Sequence, residues 1–498
     1  MNRTLALLVA VGGLTTSACA QRSGLPDEYC QTQAGLDCQE AFDRLATLEA
    51  QMETVQAQME QLAWALDAAP YVSVTSNGEN ADIVFEGANL HVRSGAGSTY
   101  GDINAPSVNG YGNVIIGYNE NRDDSVPELG LVGTDKSGSH NLILGPGHYY
   151  TSFGSLLAGS GNSAYANSTL LAGWMNDVHA GHSSVTGGME NDVFLPYSLV
   201  AGGKQNSVGD EAVDTTTNMF NVVVGGLDNY VSGNVSTVVG GHNNDADGEA
   251  TLACGGEYNT ATGSNAVVCG GFGNRATANR ATAVGGEGNH ATAESAVAAG
   301  GANNEASGRY AVAVAGGSTT SEYGNEASGV LAVVVGGTEN TASGTSPDGS
   351  FTVTVGGRNN GSEGDFALTV GGYQNQTTTE YSSILGGHKN TTGPQDLIGT
   401  HECVLASDRG YTPNDPYFST IVGGDCNLAT GLVSTGIGGI QNTTTGYASL
   451  AAGGQESTVS SQSTVVVGGE EGYTQADYSV VVGGQMGIAT AEHEVVVP

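Results

Sequence analysis

The chain has 498 residues, 79 of them glycine and only 11 proline, and its glycines follow no Gly-X-Y period, which excludes a collagen helix. Its net charge is −37, from 13 basic against 50 acidic residues, which excludes nucleic acid and anionic lipid as direct partners because phosphate binding needs clustered Lys and Arg. Such acidity keeps long particles apart in solution, and it leaves open a role in holding cations or basic partners.

Residues 1–20 read as an export signal: Arg3, an apolar stretch from Leu5 to Leu14, then small residues. Ala18-Cys19-Ala20 fits an ordinary signal-peptidase site. Thr16-Ser17-Ala18-Cys19 resembles a bacterial lipobox, which would place a lipid on Cys19, although lipoboxes usually carry Leu where Thr16 stands. Both readings export the chain, as a surface or outer-membrane lipoprotein or as a secreted protein. No later stretch reaches the ~18–20 apolar residues of a membrane helix, so the N-terminal lipid is the only membrane contact expected.

Residues 21–37 form a polar linker. Over 38–69, Cys38, Ala41, Leu45, Leu48, Met52, Val55, Met59, Leu62 and Leu66 alternate spacings of three and four, the seam of a coiled coil, and Pro70 closes it. This mixture of Met, Leu and Val does not choose between two strands and three. Residues 70–112 read as a β-rich neck with Asp82–Phe85 and Asn89–Val92 as candidate strands.

From residue 113 to residue 498 the chain repeats. Diglycines recur mostly every fifteen residues: Gly225-Gly226, Gly240-Gly241, Gly255-Gly256, Gly270-Gly271 and onward. Of 18 pairs from Gly187 on, 14 carry Asn four residues after the first Gly, so the asparagine belongs to the repeat. A unit this short cannot bury a core alone and must stack on its neighbours, which predicts a mainly β, parallel solenoid with about 15-residue rungs. In this reading Ser463–Val467 is a strand, Gly468-Gly469 a corner, and an Asn such as Asn442 a second tight bend, because Gly and Asn take left-handed backbone most easily.

Val239, Cys254, Cys269 and Val284 stand immediately before a diglycine, and Val238, Ala253, Val268 and Ala283 one residue earlier. Neighbouring strand residues point to opposite faces, so both faces are apolar, whereas a roll has only one interior. The second face therefore needs a cover, and the simplest is an identical chain. The predicted coiled coil points the same way, and self is the first expected partner.

Of the seven cysteines, six follow Cys19. Cys254 and Cys269 lie one rung apart, about 4.8 Å between stacked Cα atoms, which suits either a disulfide or two small apolar substitutes for core valine. Cys403 and Cys426 are a second candidate pair by proximity, and Cys30 and Cys38 a third.

Four rungs are enlarged: by about eight residues after Asn206, five near Ser318–Gly324, five near Thr345–Ser350 and twenty-two between Asn390 and Phe418. All are read as leaving one edge, between the Asn bend and the next strand. They are either a binding edge or tolerated loop growth. The binding-loop candidates are Asp396, His401, Glu402, Asp408, Arg409, Tyr411, Asp415 and Tyr417.

The repeat Ser-x-Val-x-Val-Gly-Gly-x-x-Asn-x-Ala-x-Gly, clear in Ala332–Gly344 and again in Ala266–Thr277, resembles the YadA-like head of trimeric autotransporter adhesins. The resemblance covers roughly residues 113–490, and it implies a left-handed parallel β-roll trimerised about its long axis. The chain departs from that family in three ways. The helical segment precedes the rungs, the segment Glu494–Pro498 is no β-barrel anchor, and most rungs have fifteen residues with a full diglycine where the family's commonly have fourteen with one glycine.

No catalytic motif, cofactor cradle or metal-ligand set is found. His179 and His182 lack a carboxylate or thiol partner at useful spacing. Asp245-Ala246-Asp247-Gly248-Glu249 lacks the full acidic pattern of a calcium loop. An ice-binding rod would need ranked Thr-x-Thr columns, and the one example read on a strand is Thr352-Val353-Thr354. The functional expectation is a non-enzymatic exported fibre that binds an extracellular ligand (matrix protein, glycan or cell surface) through a long repetitive face. The alternatives are a purely structural envelope or surface-layer component and, more remotely, a carbohydrate-active β-helical enzyme.

Overall fold

The computed structural model describes residues 34–68, 70–76, 81–99, 101–102, 105–122, 135–213, 216–318, 324–344, 346–347, 349–393 and 418–497. The chain divides into two compact units, Met1–His91 and Val92–Pro498. In the first unit the predicted heptads form one helix, α1 (Ala34–Ala68), whose seam residues Leu48, Met52, Val55 and Met59 are exposed. An antiparallel hairpin of β1 (Val72–Ser76) and β2 (Ala81–Phe85) follows, with Val74 opposite Ile83. Asn89–Val92 is not a strand, so the hairpin partner of Asp82–Phe85 is the earlier Val-Ser-Val-Thr-Ser segment.

The second unit is a parallel β-solenoid of about 21 turns. One rung shows the plan. Thr237–Val239 is a strand of the first sheet, Gly240-Gly241 turns the corner, and His242 makes one parallel bridge to each flanking rung, to Leu227 and to Glu257. Asp245–Ala246 is a strand of the second sheet, and a turn returns the chain to Leu252–Cys254, directly above Thr237–Val239. Successive rungs stay in register: Val238 pairs with Ala253, and Ala246 with Ala261. The first sheet runs from Val114–Ile116 to Val495–Val496, and both end strands have one neighbour each.

The two glycines of a corner have different reasons to be there. Both adopt positive φ, 65° at Gly240 and 89° at Gly241, where L side chains are strained. A Cβ on Gly240 would meet only a distant carbonyl, whereas one on Gly241 would overlap the Asn244 amide and the Gly256 carbonyl of the next rung. The second glycine is thus fixed by packing as well as by backbone conformation.

The interior is narrow. Second-residue side chains of both sheets, such as Val238, Ala246, Ala253 and Ala261, are 0 % exposed and face one another. The core's chemistry changes along the rod. Leu157, Leu171 and Leu195 fill the early rungs, alanines from Ala261 to Ala342 fill the middle, and Thr354, Thr369 and Thr377 follow. Thr352 and Thr354, the Thr-x-Thr read above on a strand, are fully buried in the interior.

The repeat asparagine is also interior, and it is not the bend that its residue type suggested. The left-handed residue is the one before it: Asp228, Asn243 and Tyr258 have φ of 53°, 54° and 56°. Asn229, Asn244 and Asn259 are buried, and their side chains stack into a ladder. Each Oδ1 accepts the backbone N–H of the next asparagine, as Asn259 Oδ1 does from Asn274 N at 3.0 Å. In most diglycine rungs Nδ2 donates to the first glycine of its own corner and the second glycine of the next, Gly270 O at 2.9 Å and Gly286 O at 3.2 Å for Asn274. The ladder runs without a break from Asn162 to Asn442 and spans every enlarged rung on the way, including Asn390 to Asn427 at 3.0 Å. These buried amides satisfy carbonyls that the tight corner would otherwise strand, each worth about 1–3 kcal/mol if orphaned.

Candidate functional surfaces

The solenoid has two outer faces of opposite chemistry. On the first sheet, the residues before each diglycine point outward: Val224, Val239, Val284, Val335, Leu385, Val422, Ile437, Val467 and Val482 are 40–45 % exposed. At roughly 50 Å² each, these nine alone present about 450 Å² of apolar surface in one stripe, comparable to the largest patch on an ordinary soluble monomer. Cys254 and Cys269 occupy this outward column and form a disulfide, with Cα atoms 4.5 Å apart. They are therefore not substitutes for core valine.

The second sheet is more polar outside, although Tyr165 and Ile488 are exposed on it. Thr260 and Thr262, Thr443 and Thr445, and Thr458 and Ser460 flank buried residues on successive or nearby rungs, interspersed with Arg275, His290 and Glu305. Toward its N-terminal end Asp177 and Asp192 are neighbours across the ladder, and Arg122 Nη2 lies 3.6 Å from Asp177. Burial, then the charges of Asp177 and Glu190, push the Asp192 carboxyl up to about 7. Burial, then the hydrogen bond and charge of Asp247, push Asp245 up to about 8. Asp245 and Asp247 stand on either side of inward-facing Ala246, so they share the outer face and form no calcium-style loop.

His179 and His182 belong to different columns. His179 stacks between Tyr165 and Phe194, with ring centroids 4.3 Å from each, and His182 stacks on Tyr197 at 5.2 Å. Their rings are engaged in packing and do not converge. Among the described residues, no group of three His, Cys, Asp or Glu side chains is placed to hold a metal ion.

A third surface is the corner between the second sheet and the first. One residue per rung there has positive φ, among them Val235, Ala250, Asn265, Arg280, Phe351, Phe366, Tyr381 and Phe418. The enlargements after Asn206, near Ser350 and before Phe418 leave from this corner. The one near Ser318–Gly324 does not: it lies between Gly316-Gly317 and Asn325, at the next corner round, so the enlarged rungs do not share a single edge. Asp396, His401, Glu402, Asp408, Arg409, Tyr411, Asp415 and Tyr417 lie outside the described residues, as do Cys403, Cys30 and the leader with Cys19. Cys426 is disulfide-bonded.

No protein-family model matches the chain, and no curated protein matches it. No helix among the described residues is long and apolar enough to cross a membrane.

Proposed function

We propose that this protein is a non-enzymatic, exported surface fibre whose rods associate with copies of themselves, in trimers as the head-repeat resemblance implies, and bind an extracellular ligand through their polar side. The observation that carries this reading is the division of the outer surface. An apolar stripe along the first sheet is costly to leave in water, while the second sheet is solvent-compatible over the same rungs. Identical rods are the natural cover, since repeat and stripe have the same period. The exposed seam of α1 supports association by the same logic as a coiled coil. The N-terminal leader supports export. A rod of repeated weak contacts, multiplied by oligomerisation, gains avidity without a deep pocket.

The test is a binding screen of the intact protein against glycans, matrix proteins and cells. It is paired with a variant in which residues 394–417 are replaced by a two-residue turn such as Gly248-Glu249, which joins the same two sheets in a regular rung. The fibre reading expects binding by the intact protein, and its loss in the variant with the rod still folded would locate the contact at this loop. Binding unchanged in the variant removes this loop from the site. No binding to any of them favours the structural envelope component.

A further inference from the structure

Six consecutive rungs of the second sheet carry an outward column that becomes its own complement when inverted. In chain order it runs Thr260, Arg275, His290, Glu305, Glu326 and Thr341, each paired in register with the next. Arg275, Glu305 and Glu326 are exposed. The outward column beside it holds only hydroxyls: Thr262, Thr277, Thr292, Ser307, Ser328 and Ser343. The residue between the two columns is a fully buried alanine in every one of these rungs, from Ala261 to Ala342, so all six strands sit at the same depth. The enlarged segment near Ser318–Gly324 leaves before the buried Asn325, and none of it belongs to either column.

In a lone rod this column is poorly arranged. Glu305 and Glu326 are like charges on neighbouring strands, which is destabilising. Among the described residues, neither carboxylate nor Arg275 is in an ion pair. Burial, then the adjacent Arg275, holds the His290 ring below its ordinary value, so at neutral pH it is an uncharged hydrogen-bond donor.

A second rod turned end for end, about an axis along the strands between His290 and Glu305, presents each column to its own copy in reverse. Arg275 then faces the partner's Glu326, His290 the partner's Glu305, and Thr260 the partner's Thr341. The turn after the sheet follows the same rule, with Glu294 in the His290 rung facing the partner's Arg309. Two-fold symmetry makes each contact twice, and no like charges meet within the six rungs. Shifting the register by one rung sets His290 or Glu305 against its own copy, and a parallel arrangement sets charges against hydroxyls. The Thr and Ser column is short and both donates and accepts, so it lets the two sheets approach.

We propose that the second sheet of rungs 260–343 docks antiparallel on the same rungs of another copy, so that the ligand of the polar side is a second rod. The inference rests on the reading of the second sheet as the binding side and names its partner and register. Six rungs at about 4.8 Å, across a three-residue width of about 10 Å, give roughly 300 Å² per rod, well below the ~800 Å² of a standard interface. Single rods therefore pair weakly, and the contact holds where many rods act together.

The experiment uses the full chain, coupled through an N-terminal tag to beads of two colours, so that clumping needs rods pointing opposite ways. Wild-type beads are expected to clump. Arg275→Glu with His290→Glu makes the column wholly acidic, and Glu305→Arg with Glu326→Arg makes it basic. Each double variant alone is expected to clump at least about tenfold more slowly, and the two mixed to clump with each other. Thr458→Arg, on the same sheet outside the block, is expected to change nothing. Failure of the mixture to clump, with each variant still associating through the first sheet by light scattering, overturns the pairing. So does clumping of either variant alone at the wild-type rate. Glu326→Gln, a mild exposed change, is expected to slow clumping about threefold, and its indifference counts against the register equally. Wild-type beads that stay dispersed yet capture glycans, matrix proteins or cells overturn the pairing and leave the binding-side reading standing. If they capture nothing, both fall.

Discussion

Replacing Asn274 by alanine probes the interior ladder at a single rung. The side chain's Oδ1 is the acceptor for the buried N–H of Asn289, at 2.9 Å, and its Nδ2 is the donor to the Gly270 carbonyl. The Gly286 carbonyl keeps a second donor, Phe272 N at 2.9 Å, so its loss is partial. Alanine therefore strands one N–H and one C=O away from water, at about 1–3 kcal/mol each, for a total near 4 kcal/mol. Thr277→Ala in the same rung removes an exposed side chain on the second sheet and is expected within about 0.5 kcal/mol of wild type. Because each rung touches only its neighbours, the loss should appear locally. Hydrogen exchange followed by mass spectrometry should show faster opening of Val267–Cys269, Thr282–Val284 and Val297–Ala299, and little change in Val465–Val467. Equal exchange in Asn274→Ala and Thr277→Ala would refute the ladder as a source of stability.

The diglycine makes a paired prediction: Gly271→Ala, whose Cβ overlaps the Gly286 carbonyl and the Asn274 amide, should destabilise by several kcal/mol, while Gly270→Ala, with open space around it, should cost only about 1 kcal/mol of backbone strain. Thermal denaturation of both variants separates steric from conformational need, and equal losses would contradict it. The carboxyls make another. Asp192 and Asp245 are held at about 7 and about 8 in the folded rod, above the ~3.9 of an unfolded chain. The folded state therefore keeps protons that the unfolded state has released between about pH 4 and pH 8, and stability falls as pH rises through that window. Melting temperatures should be higher at pH 5 than at pH 8.5, and Asp245→Asn should flatten the slope; a flat or rising wild-type profile would count against the assignment.

Much of the rod was legible because its constraints repeat. The fifteen-residue period, the diglycine corner and the two apolar columns before it all follow from residue types at fixed spacing, and the sheets bear them out. The role of asparagine was not legible. A left-handed bend and a buried ladder both demand Asn once per rung, and the true left-handed position is as varied as Asp228, Tyr258, Gly273 and Met486, so it leaves no compositional mark. The buried threonines were hidden for a related reason. Thr352-Val353-Thr354 alternates like any strand, and only the register with Leu368–Val370 shows that the threonines are inside. The neck was misread because Asn89–Val92 and Val72–Ser76 are equally strand-like in composition, and only the latter pairs with Ala81–Phe85. Of the surfaces, the apolar stripe was readable from alternation alone. The left-handed corner between the second sheet and the first was not, since its residues range from Ala250 and Arg280 to Phe366.

The decisive measurement is light scattering on residues 71–498, without α1, at micromolar concentration, so that any association must come from the rod. Copies joined through the valine stripe of the first sheet should elute at a multiple of the single-chain mass, three-fold for a trimer, and Val335→Glu with Val467→Glu should return it to one. A monodisperse single chain in the unsubstituted protein, leaving Val239, Val335 and Val467 in water, would contradict the account at its base.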